Sequence, residues 1–148
     1  MDNNKIHHLE MIEKIIDRMA QNSFKLKGWA VTLITIVGAF SYQCPEKWCS
    51  FIALGLMPLI VFWFLDSYYL QLERQYRVLY NLVTLKNDCE IDFCMDLNKS
   101  TYSFQEAQKI CFIKCLFSKT ELFFYCSLIV AFLLVLWLPT FCCLKCQA

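Results

Sequence analysis

The chain has 148 residues, of which 58% are hydrophobic and 18% charged, and its formal net charge is +1. That length fits one domain, 1–148, and a mean hydropathy of +0.43 is too apolar for an ordinary water-soluble fold of this size. The near-zero charge excludes the concentrated basic face of a nucleic-acid binder, and only three Gly and three Pro exclude long linkers and low-complexity tails.

Residues 4–27 place Leu9, Ile12, Ile16, Met19, Ser23 and Leu26 at alternating spacings of three and four, with Glu10, Glu13, Lys14, Asp17 and Arg18 between them. This pattern predicts a cytosolic amphipathic helix with one seam, which packs against other helices of the chain or against its own copy. The polar start and the absence of a short apolar core before Gly28 predict no secretory signal, so the first apolar segment is expected to stay as an anchor. No charge occurs in 28–42, and Lys25 and Lys27 stand where their ammonium groups reach the headgroups while their stems remain apolar. The first transmembrane span is therefore expected at 28–43. A polar turn with Pro45 follows, and 48–65 is a second uncharged run ending at Asp66, so the two runs form a transmembrane hairpin. Pro58 removes a backbone bond to the Leu54 carbonyl, which predicts a local bend.

After Asp66, Tyr69, Leu72, Tyr76, Leu79 and Val83 keep the helical spacing, and Glu73 and Arg77 form an i,i+4 pair. The second span is thus expected to continue as one long helix into a cytosolic layer, 66–121. Within that layer Cys89, Ile91, Phe93, Met95 and Leu97 alternate with polar or acidic residues and Cys94, which predicts a short extended segment. Ser103 and Glu106 fit a capping box for a helix through Leu116 lying along the membrane surface. Ser118 and Glu121 repeat that signature before the third span, 122–144. The fold class is therefore all-α: a hairpin plus a C-terminal span, amphipathic cytosolic helices and one extended segment. Lys and Arg concentrate in 5–27 and 74–119, which places those segments in the cytosol and the C-terminus outside.

No catalytic, cofactor-binding or metal-binding group is expected. Cys89, Cys94, Cys111 and Cys115 lack the close pairs of structural zinc sites, and a calcium-loop match beginning at Asp88 fails because Phe93 replaces the required Gly. Adjacent His7 and His8 face different sides of a helix with no nucleophile placed beside them. Cys44 and Cys49 are candidates for an extracytoplasmic disulfide. Lys25, Lys27, Asp66, Glu73, Arg74 and Arg77 are candidates for a junction at the membrane boundary, since charges at the end of the second span can pair with a lysine of the first. Gly28, Thr32, Thr35 and Ala39 share one face of the first span, and Gly55 offers a close-approach point on the second. Together they read as a packing stripe or, in an oligomer, a pore lining. No span carries an interior charge, which argues against a proton-coupled pump.

The string from Asn22 to Trp29 (NSFKLKGW), that from Phe62 to Leu70 (FWFLDSYYL) with Glu73-Arg74 and Tyr76-Arg77, and the strings from Ile91 to Asp96 and Phe117 to Thr120 resemble a family of small, largely uncharacterised bacterial multi-pass membrane proteins. The layout is also similar to the SLATT-type transmembrane effectors of bacterial conflict systems. The resemblance implies a bacterial inner membrane, a homo-oligomer, a cytosolic protein partner and a role in antiviral defence as a membrane-perturbing effector. The alternative is a constitutive scaffold without conductance.

Overall fold

The computed structural model describes residues 3–41, 48–85 and 110–146, without the side chains of 48 and 138–146. Every element among them is a helix: α1 (Asn3–Ser41), α2 (Trp48–Leu85), α3 (Phe112–Leu116) and α4 (Lys119–Cys146). Three of these, α1, α2 and α4, are long and apolar enough to cross a membrane.

The cytosolic helix expected at 4–27 and the span expected at 28–43 are not separate elements. They form the single helix α1, because nothing between Lys27 and Gly28 breaks the chain; one Gly costs a helix only about 1 kcal/mol. The buried stripe that begins at Leu9 and Ile12 runs on through Leu26, Ala30, Ile34, Val37 and Ser41, keeping the same spacing past the membrane boundary. In α2 the helix continues through Pro58 without ending. At roughly 1.5 Å per residue α1 and α2 each extend about 57 Å, close to twice the ~30 Å hydrocarbon core. Each is therefore much longer than one membrane crossing needs, and the two form an antiparallel hairpin.

Two apolar clusters hold the hairpin. In the half that carries the charged residues Leu9 and Ile12 pack on Leu79 and Val83, with Ile16, Tyr76 and Tyr80 at the edges. In the apolar half Ala30, Ile34 and Val37 of α1 and Leu59 of α2 meet Tyr125, Phe132 and Leu136 of α4. The seam of α1 is thus covered by the chain's own α2. The third long helix lies on both others along a narrower strip than they share with each other. Its buried residues, Glu121, Tyr125, Phe132 and Leu136, recur at spacings of four and seven, one face of a helix.

Gly55 is where α4 comes closest to α2. A Cβ there would fall 2.6 Å from Cε1 of the buried Phe132 ring. The opposite side of α1 is uncovered: Gly28, Thr32, Thr35 and Ala39 are all exposed, and nothing lies near Gly28. Offset by two residues, or roughly 200°, from the buried stripe, they face away from α2 and α4.

A helix running unbroken to Leu116 does not form. Cys111 has an extended backbone (φ −67°, ψ 135°), which confines the last part to the single turn of α3. The Ser103 and Glu106 capping box, the extended segment at 89–97, and the turn containing Cys44 lie outside the described residues.

Candidate functional site

The uncharged runs of all three long helices end at the same level, and the boundary residues meet there. In α1, Ser23 and Lys27 are one turn apart on the side facing α2, because the seam that carries Leu26 and Ala30 also carries them. In α2, Asp66 ends the apolar run and falls in register with Leu59, so it too points inward. Early in α4, Glu121 and Tyr125 lie on the strip that docks against the hairpin.

These side chains form one hydrogen-bonded network. The Lys27 ammonium pairs with Asp66 Oδ2, lies 3.0 Å from Glu121 Oε1, and donates to Ser23 Oγ at 3.1 Å. Ser23 in turn donates to Asp66 Oδ1 at 2.5 Å, and the Tyr125 hydroxyl donates to Asp66 Oδ2 at 3.1 Å. Asp66 is completely buried, and Glu121 is 3% exposed. A carboxylate so enclosed is stable only when charged or polar donors replace its lost water. Asp66 has three such donors, one from each of Ser23, Lys27 and Tyr125. The Lys27 ammonium also lies 5.8 Å from the centroid of the Phe124 ring, whose face favours a cation.

A second set of contacts fixes the turn that leads into α4. Trp63 Nε1 donates to the Leu116 carbonyl at 3.2 Å, Gln71 Nε2 to the Ile110 carbonyl at 3.1 Å, and Arg74 Nη2 to Ser118 Oγ at 3.2 Å. Carbonyls at a helix end have no partner within the helix, so Trp63 supplies one that the short α3 cannot. The Trp63 ring stacks on Tyr125 at 5.8 Å and meets Phe117 edge-on at 6.4 Å. Arg74 Nη1 also reaches Cys115 Sγ at 3.6 Å. Burial pushes the Cys115 thiol above its ordinary range, although the Arg74 guanidinium opposes this.

Of the six junction candidates, Lys27 and Asp66 come together. Arg74 lies further along α2, past Asp66, and holds Ser118. Glu73 and Arg77 pair with each other at 2.8 Å on the surface, away from the cluster, and Lys25 is exposed on the outer side of α1. The capping box expected of Ser118 and Glu121 is not made: the Ser118 hydroxyl is taken by Arg74 and Thr120, and Glu121 turns inward to Lys27. Periodicity and motif reading left Glu121 with that local role and did not single out Tyr125. The usable signal was the i,i+4 pair Glu121 and Tyr125, polar groups repeating on one face of an otherwise apolar helix.

The hydroxyls of Thr32 and Thr35 donate back to the carbonyls of Gly28 and Val31, at 2.9 and 2.8 Å. Cys49 is exposed near the start of α2, and its candidate partner Cys44 lies outside the described residues. Among the described residues, no three His, Cys, Asp or Glu side chains gather as a metal site would require. Compared with known proteins, the chain matches no family model, no curated protein and no solved structure.

Proposed function

We propose that this is a non-enzymatic, oligomeric protein of the bacterial inner membrane, with its N-terminus and 66–121 in the cytosol and its C-terminus outside. Docking of a cytosolic protein partner changes its spans and makes the membrane permeable, as in an effector of antiviral defence. The single observation that carries this reading is the Lys27, Asp66 and Glu121 network, because it ties all three long helices together where the cytosolic hairpin enters the apolar half. A rigid α1–α2 lever on one side and a narrowly docked α4 on the other form the kind of two-arrangement element that can turn docking into helix movement. The uncovered Gly28, Thr32, Thr35 and Ala39 face supports self-association, since small residues let helices approach closely in lipid. Its hydroxyls are already bonded within the helix, so the face can lie against lipid, another copy or water.

The test is dye release from liposomes and depolarisation of cells on induced expression, for the natural protein and for a variant carrying Lys27→Met, Asp66→Leu and Glu121→Leu together. Replacing a buried charge network by apolar residues of similar volume commonly preserves or raises stability. The variant is therefore expected to insert and fold, and to release at least ten-fold less dye. If the natural protein never alters permeability while a pull-down recovers a stable partner, the protein is a constitutive scaffold instead.

A further inference from the structure

We propose that the junction is a proton-binding site: Glu121 carries one proton on Oε2, and the network is balanced in charge only when that proton is present. The inference rests on reading the cluster as the contact that docks α4, and not on membrane permeability.

An ammonium has three N–H bonds. Those of Lys27 are used by Asp66 Oδ2, Glu121 Oε1 and Ser23 Oγ. The Ser23 and Tyr125 hydroxyl protons both go to Asp66. Ser67 on α2 donates to the Trp63 carbonyl at 2.8 Å and gives nothing to the cluster. The nearby Arg74 guanidinium is turned to Ser118 and Cys115, and the Cys115 thiol of α3 stays neutral. The side-chain donors named here are thus committed, and Glu121 Oε2 is buried with no partner among the described residues. The Asp66 and Glu121 carboxyl groups share the one Lys27 ammonium, so each lies in the field of the other.

With both carboxyl groups ionised, the buried cluster holds two negative charges and one positive. An uncompensated charge in such a place is expensive, and two carboxylates sharing one site ordinarily keep a proton between them. The proton comes from cytosolic water along the part of Lys27 that is still exposed, where the side chain is 23% accessible. It bonds to Oε2, so the Glu121 carboxyl becomes neutral, and the cluster with it. Asp66, which already has three donors, remains the carboxylate. Loss of the proton returns one unbalanced negative charge between α4 and the hairpin, so the site makes the docking of the third helix sensitive to cytosolic pH.

Infrared spectroscopy of the full chain in lipid bilayers at neutral pH tests this through the carbonyl stretch of a protonated carboxylic acid. The expected result is one such band, which moves when glutamate is labelled with the heavy carbon isotope at its carboxyl and disappears in Glu121→Gln. Because labelling alters no contact, that arm holds even if a variant folds poorly. Absence of the band would overturn the proposal, as would a band that moves only with labelled aspartate or survives in Glu121→Gln. A glutamate band without dye release would support the proton site and count only against the proposed function.

Discussion

At the residue scale the decisive group is Lys27. Asp66 and Glu121 both depend on its ammonium, so Lys27→Met leaves two buried carboxyl groups without a cation. Removing one partner of a buried ion pair typically costs about 3–5 kcal/mol. Denaturant unfolding in detergent should show a loss of that order. Glu121→Gln should stay within roughly 1 kcal/mol of the natural protein, because an amide in place of a neutral carboxyl keeps the hydrogen-bonding shape. Equal losses for the two variants would mean that Glu121 is ionised in the folded protein. The cysteines offer an independent check on the turn before α4. Cys111 is exposed, whereas Cys115 is completely buried and its thiol is held neutral, so a maleimide should modify Cys111 well before Cys115. Comparable rates, read by mass spectrometry of the peptide carrying both, would contradict the packing of Trp63 and Arg74 over that turn.

At the level of elements, the long helices were legible because their periodicity is strong: the seam from Leu9 to Leu26, and the series Tyr76, Leu79 and Val83, are the residues that pack. What periodicity did not show was continuity. A change from amphipathic to wholly apolar character does not require a break in the backbone, and α1 runs through the boundary expected at 27 and 28 without one. Glu121 was misread for a related reason. A Ser followed three residues later by Glu is a valid cap signal when the carboxylate is near the surface. Here the rest of the face, Tyr125, Phe132 and Leu136, buries it, and a buried carboxylate turns to a cation in preference to an amide. The knob of α4 is Phe132 and its hole is Gly55. Gly55→Val should expel the ring from the hairpin, because the neighbouring Leu59 is itself buried and the space is closed. Overpacking of this kind typically costs about 1–3 kcal/mol. The expected outcome is easier loss of α4 contact, seen as faster proteolysis between α3 and α4 in detergent. Unchanged digestion would show that α4 docks through the polar junction alone.

Considered as a whole molecule, the chain is a lever and a latch. The lever is the α1–α2 hairpin, about twice as long as a bilayer's apolar core is thick and held by an apolar cluster at each end. The latch is α4, which meets the lever through Phe132 and its apolar neighbours on one side and through a charged network on the other. Much of the molecule's apolar surface is uncovered: Phe24, Trp29, Phe40, Leu54, Met57, Phe123 and Trp137 are all exposed, and the candidate spans bury only 17–28% of their most apolar windows. Exposed apolar area on this scale has to face lipid or other copies of the chain. Composition already pointed that way. The sequence could not show that the polar boundary residues of three separate helices converge, since that depends on how α4 is rotated about its own axis.

The claim on which all of this depends is that the exposed flank of α4 faces lipid. Cys126 tests it most directly: it follows the buried Tyr125 in the apolar part of α4 and is exposed on the protein surface, as Cys111 is. Variants keeping one of these two cysteines can be treated with a membrane-impermeant maleimide in sealed inside-out vesicles. Cys111 should be labelled and Cys126 protected until detergent is added. Labelling of Cys126 at the rate of Cys111 in intact vesicles would contradict that claim.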